Sequence, residues 1–247
     1  MKTNKRVADA EITNPSWNSL YTIGGWAALL IVLTALLEIV ITFLPGGYAS
    51  AETVEDWFKL FQNNGFLGLR NLGLLNIIMT ALGIPVFFAL YAAHRRVNQP
   101  YATLAMIFSF LGVAVFYATN RAFPMLDLSH QYASAASDAQ RAMLAAAAQA
   151  MLSVGESHTP GTFLGFFLSE TAGILISIVM LRGGVFNKAS AIIGILAFSL
   201  MMIFEICSSF VMGLSSAALL IAMGGGLLTM AWYILIARRL FQLGRES

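Results

Sequence analysis

Six stretches of about 20 apolar residues leave one class of fold open to this chain. They run over about 20–44, 72–92, 101–119, 161–181, 189–210 and 216–237. A helix rises about 1.5 Å per residue, so each stretch can cross a hydrocarbon core of about 30 Å. In that core every backbone N–H and C=O must be satisfied within the protein, which restricts spanning structures to helices and closed barrels. Barrel strands alternate apolar and polar residues. A run such as Ala27-Ala28-Leu29-Leu30-Ile31-Val32-Leu33 does not. The expectation is an all-α polytopic membrane bundle of six transmembrane helices, forming one integral membrane domain over 1–247. Composition agrees. Charged residues make up 11% of the chain and hydrophobic residues 58%, against about 25% charge in soluble domains. That balance excludes a soluble enzyme, a disordered chain and a nucleic-acid binder. The single cysteine, Cys207, excludes an internal disulfide framework and reads as a small buried hydrophobe.

Prolines mark the edges of the spans. Pro45 follows the first, Pro100 and Pro124 flank the third, and Pro160 precedes the fourth. Pro85, inside the second span after Gly83, predicts a kink. Lys2, Lys5 and Arg6 ahead of the first span, with Ala49-Ser50-Ala51 after it, resemble a signal peptide. The apolar run exceeds the 7–15 residues or so of such a segment, so a retained anchor is expected.

Basic residues orient the spans. Lys2, Lys5, Arg6, Arg95, Arg96, Arg182, Lys188, Arg238, Arg239 and Arg245 fall on one side. Lys59, Arg70, Arg121 and Arg141 fall on the other, with six of the acids: Glu52, Glu55, Asp56, Asp127, Asp138 and Glu156. Both termini are therefore expected in the cytoplasm, and membrane lipid is the expected surrounding.

The loops after the first and third spans, expected on the outer side, are long: about 26 and 40 residues. In the first, Val54, Trp57, Phe58 and Phe61 share one helical face over about 53–64, with Thr53 and Asp56 as a capping pair and Gly65 as its end. This face reads as an interfacial helix that seals the bundle top, or as a lid over a pocket. In the second loop, an alanine-rich helix is expected over about 138–153, opened by Ser137 and Gln140 and stopped at Gly155.

Three acids lie within spans: Glu38, Glu170 and Glu205. Such a group costs about 2.5–3.5 kcal/mol at mid-span and normally faces the bundle interior with a partner. Helical rise puts them about 9, 13 and 7 Å from the outer ends of their spans. Arg70 and Asn71 open the second span at that level, Asn76 lies about 1.4 turns deeper, and Asn120 and Arg121 close the third. One polar site under the outer loops is the economical arrangement. Two alternatives stand beside a ligand site: the arginines pair with the acids to hold the bundle together, or burial keeps the acids protonated. His130 and His158, with Glu156 and Glu170, could supply a metal site; there is no HExxH, and surface histidines are the plainer reading. His94, beside Arg95 and Arg96, reads as a topology residue. Gly161 and Gly165, and Ala222 and Gly226, are small-residue faces through which helices pack or copies associate. No nucleotide motif, catalytic triad order or internal repeat is visible, and no cofactor is assigned.

Met180-Leu181-Arg182-Gly183-Gly184-Val185-Phe186, then Ala191-Ile192-Ile193-Gly194-Ile195, resemble a bacterial family of small membrane proteins catalogued as domain of unknown function 4386. So does the ending Ala231-Trp232-Tyr233-Ile234-Leu235, with Arg238-Arg239-Leu240 and Leu243-Gly244. Asn187-Lys188 stands where members often carry proline. The resemblance covers most of the six-helix layout. It implies that topology and a bacterial cytoplasmic membrane, and no activity. The functional expectation is a protein that binds or transports a small molecule or ion through an outer-facing polar cavity. An outer-leaflet, metal-assisted hydrolase and a partner subunit without a ligand are the other classes open.

Overall fold

The computed structural model of the chain describes residues 15–43, 51–154, 158–211 and 215–245. Pro45, Gly155, Glu156 and the basic residues Lys2, Lys5 and Arg6 lie outside them. The architecture is all-α, and its long apolar helices make it a multi-pass membrane protein. These are α1 (Pro15–Phe43), α4 (Leu74–Thr119), α7 (Phe163–Gly183), α8 (Lys188–Phe210) and α9 (Ser215–Leu243). Short helices α2 (Val54–Asn63), α3 (Gly65–Asn71), α5 (Ala122–Ser134) and α6 (Asp138–Ser153) fill the two long loops.

At 46 residues, α4 is about twice the length a membrane needs. It is two helices meeting at Asn98, whose φ of −156° and ψ of 75° are not helical. Pro100 falls in the first turn of the second limb, where its missing N–H breaks no bond. The limbs fold back on each other. Asn120 Nδ2 donates to Leu72 O at 2.9 Å, and Tyr117 Oη donates to Ile77 O at 3.0 Å. The limbs 74–97 and 99–119 correspond to the expected second and third spans. Backbone dihedrals stay helical at Pro85. The first limb starts two residues later than expected because Gly73 takes φ +93°, a left-handed conformation that leaves Arg70 and Asn71 on α3.

The long helices close a ring: α1 packs on α4, α4 on α7, α7 on α8, α8 on α9 and α9 back on α1. Without a hydrophobic force between helices in lipid, close packing carries the association, and small residues permit it. A Cβ on Gly24 would lie 2.6 Å from Ala89 Cβ, and one on Gly112 would lie 2.6 Å from Ser169 Oγ and 3.0 Å from Gly165 O. Gly165 in turn faces Phe116. This half of the Gly161/Gly165 pair is therefore occupied within the chain.

The two ends of the ring differ. At the end carrying the Asn98 turn, Tyr21, Leu90, Ile176, Met180, Trp232, Ile236 and Leu240 form a dense core. His94 belongs to it: fully buried, its Nδ1 is 2.8 Å from Leu90 O and its ring stacks on Phe186. It is a packing residue, and sequence position beside two arginines misplaces it. At the other end α2, α3, α5 and α6 build a cap with a core of its own, containing Trp57, Phe58, Phe61, Met125 and Ala148. The amphipathic face of α2 is buried in protein and not in the headgroup layer. Ser129 Oγ donates to Phe58 O at 3.2 Å, and Phe58 packs on Tyr132. Thr53 and Asp56 form the expected reciprocal cap. Ser137 Oγ accepts from Gln140 N, but the Gln140 side chain reaches past it to Ala136 N.

Two outcomes follow for stability. Gly112→Val drives a branched side chain into the Gly165 backbone, and overpacking of this kind costs about 1–3 kcal/mol. Gly224→Ala, where a Cβ meets nothing within 4 Å, leaves stability unchanged or raises it by about 0.5–1 kcal/mol. Thermal unfolding in detergent checks this, and equal melting temperatures would contradict the close contact. The cap carries an acid-sensitive element. Hydrogen bonds from Thr53 hold the Asp56 carboxyl below its ordinary 3.8. Its contribution is complete above that value and is lost as pH falls through the lowered one. Amide-exchange protection in α2, corrected for intrinsic rates, should decline below about pH 3.8, and should show a weaker acid dependence in Thr53→Val, which keeps only the backbone hydrogen bond.

Candidate functional site

A cavity of about 260 Å³ occupies the ring between the dense core and the cap. Each long helix contributes one face. From α4, Asn76, Thr80, Gly83 and Phe87 line it at intervals of three or four residues, and Ser109 and Val113 come from its second limb. Phe166, Ser169 and Glu170 come from α7, and Phe198 and Met201 from α8. Gly226, Thr229, Met230 and Tyr233 come from α9, with Ile31 and Ala35 from α1. The walls are mainly apolar, with isolated polar groups set into them.

Glu170 is the one carboxylate of the lining among the described residues. Its Oε2 is buried and has no hydrogen-bond partner among the described residues. Tyr233 on the facing helix is within electrostatic reach of it. Three of the hydroxyls around it give their protons to their own helices. Thr80 Oγ1 donates to Asn76 O at 2.8 Å, Ser169 Oγ to Gly165 O at 3.0 Å and Thr229 Oγ1 to Gly225 O at 2.9 Å. Each therefore presents its free lone pairs as acceptors.

Glu205 and Glu38 have partners. The Glu205 side chain is fully buried, and its Oε1 is 2.5 Å from His158 Nδ1. His158 adopts φ +62°, and its ring stacks on Phe166 with centroids 4.4 Å apart and leans on Phe204. Phe166 thus separates this pair from the cavity it lines. Glu38 Oε1 is 2.7 Å from the nearly inaccessible guanidinium of Arg70. Arg70 also donates to Thr42 Oγ1, to Glu38 O at 3.3 Å and to Asn71 Oδ1 at 3.0 Å. This cluster ties α1 to α3.

Of the eight residues expected around one polar site, Glu170 and Asn76 meet at the cavity. Glu38, Arg70 and Asn71 form the α1–α3 tie, and Glu205 joins His158. Asn120 bridges Leu72 and Ala122, and Arg121, buried at the foot of α5, donates to Met151 O at 2.9 Å. His130 is exposed on α5. Among the described residues no three His, Cys, Asp or Glu side chains gather as metal ligands. The sequence reading missed Thr80, Ser109, Ser169, Thr229 and Tyr233. The signal for them was present as spacing: Asn76, Thr80 and Gly83, like Gly226, Thr229 and Tyr233, repeat at helical intervals on otherwise apolar spans. Comparison with known proteins finds no match to this chain among protein families, curated proteins or solved structures.

The His158–Glu205 contact is open to a direct test. Removing one partner of a buried pair typically costs about 3–5 kcal/mol; His158 is 31% exposed at its side chain, which places His158→Ala at the lower end. A double-mutant cycle with Glu205→Gln, read by thermal unfolding, should give a coupling of at least about 1 kcal/mol. Simple additivity would mean that the two side chains do not act together.

Proposed function

We propose that this protein binds a small molecule or ion in the cavity of its helix ring and carries it across a bacterial cytoplasmic membrane. In this reading the two limbs of α4 are separate spans, giving six. The basic residues at the Asn98 turn and on α9 face the cytoplasm with both termini, and the cap faces outward. The positive-inside distribution supports that direction.

The observation that carries the reading is Glu170. A structural acid in a membrane bundle is expected to be matched by a protein partner, as Glu38 is by Arg70 and Glu205 by His158. Each of the three leaves one buried oxygen without a donor, but Glu170 makes no ion pair among the described residues and instead lines a cavity large enough for a solute. A subunit serving only as scaffold accounts for the first two acids and gives no reason for the third. The dense packing of Phe198 and Trp232, with centroids 4.9 Å apart, closes the cavity toward the Asn98 end, which suits a chamber entered from the capped side.

Access to the cavity tests this. In a Cys207→Ala background, Gly226→Cys lines the chamber and Leu227→Cys faces outward, Leu227 being 63% exposed. Methanethiosulfonate reagents need a thiolate, which forms in water and not in lipid. In lipid vesicles a small charged reagent of this type should modify Gly226→Cys at least about tenfold faster than Leu227→Cys, corresponding to about 1.4 kcal/mol. Equal inertness of both positions would remove the solute chamber.

A further inference from the structure

We infer that the cavity takes a small organic cation, an amine with an apolar body of about one ring, whose ammonium group donates to Glu170. The inference rests on the chamber proposed above and adds the chemical class of its occupant.

Charge points to it first. Among the described residues no Lys, Arg or His lines the cavity, and Glu170 is the one carboxylate that does. The other charged side chain that acts on Glu170 electrostatically is Glu205, again an acid. An anion would enter a wall of like sign with no cation to receive it, at a depth where such a mismatch is weakly screened. Hydrogen bonding points the same way. Thr80, Ser169 and Thr229 give their protons to helix carbonyls and offer acceptor lone pairs, and Glu170 Oε2 is an acceptor when ionised. An ammonium group, with three N–H donors, satisfies several of these acceptors at once, whereas an alcohol brings one donor and a carboxylate none.

The walls then set the body of the ligand. Phe87, Phe166, Phe198, Met79 and Met201 are more surface than a bare metal ion would use. Aromatic faces also attract an organic ammonium. The volume of about 260 Å³ lies below the roughly 300 Å³ at which cavities for larger ligands begin, so the apolar part is limited to about one ring. A hard divalent cation takes about six or more converging oxygens from carboxylates, carbonyls and water, and a lining this apolar, with one carboxylate, does not converge that many.

The test uses full-length protein in lipid nanodiscs at neutral pH. Phenethylamine is the cationic probe, propylbenzene its neutral isostere and 3-phenylpropanoate the anionic counterpart. Gly226→Leu fills the chamber, since a Cβ there meets nothing within 4 Å, and so corrects for partition into the bilayer. Binding is read as the rise in melting temperature with probe concentration. Phenethylamine should bind wild type about tenfold more tightly than propylbenzene, the scale of one charge-assisted hydrogen bond, and 3-phenylpropanoate should not bind. Glu170→Gln should reduce phenethylamine to the level of propylbenzene and leave propylbenzene unchanged. Thr229→Val, nearly isosteric, should weaken phenethylamine alone and provides the readout if Glu170→Gln does not fold. Equal binding of phenethylamine and propylbenzene to wild type would overturn the cation assignment and leave the chamber standing. Stabilisation by sodium chloride in place of the amine would overturn it in favour of an inorganic ion. No probe binding wild type better than Gly226→Leu would remove the chamber and the assignment together.

Discussion

A carboxylate carried into an apolar slab must find a partner in the protein or give up its charge. Three glutamates here meet that demand differently, and the layout of the polar interior follows. Glu38 takes the guanidinium of Arg70 at the rim, where its own side chain is still 36% accessible. Glu205, fully inaccessible, takes the imidazole of His158, itself gripped between Phe166 and Phe204. The first pair fastens α1 to the cap and the second fastens the entry of α7 to α8. With those two acids engaged in holding elements together, Glu170 is the carboxylate left facing open volume.

The cap exists because the two long loops are too long and too apolar to lie free. α2 alone presents Val54, Trp57, Phe58 and Phe61 on one side, and a surface of that kind is buried either in the headgroup layer or against protein. Here α5 and α6 supply the second surface. Gly68 lets Phe61 approach α3, a Cβ there falling 2.6 Å from the ring. The result is a second small core stacked on the first. It is joined to the ring by α3 and by the Asn120 bridge between Leu72 and Ala122.

Much of this is legible in the amino-acid sequence alone. The six apolar runs correspond to four of the long helices and the two limbs of α4, because span length is fixed by bilayer thickness and not by tertiary detail. The helix over 138–153 and the Thr53 cap were readable because both are local: alanine propensity in one case, a three-residue spacing in the other. The helices α3 and α5 were not. Phe66, Leu67, Gly68 and Leu69 show no polar face of their own, and α5 is recognisable only once α2 is packed against it. The site was legible in parts. Charge singled out Glu38, Glu170 and Glu205, but depth along a span does not fix direction around it. Ring closure decides which acid looks inward, and that depends on contacts such as Gly24 with Ala89, which no single-span pattern contains.

The same contacts explain why the cavity lies where it does. Toward the Asn98 end the ring is drawn tight by small residues under large ones: Trp232 rests on Gly194 and Ser177, Phe198 on Gly173, and Leu240 on Gly24. Toward the cap, glycines at 83 and 226 face space in which a Cβ would touch nothing. Glycine therefore plays opposite parts at the two ends, admitting a neighbouring ring in one and leaving room in the other. A solute held at Glu170 could reach the Asn98 side only if Phe198 and Trp232 parted, and those two rings meet edge to face at 4.9 Å. Gly194 and Gly173 would have to lose these neighbours in the same movement. In the transport proposed above, the resistance to passage would be concentrated in that one layer of aromatic packing.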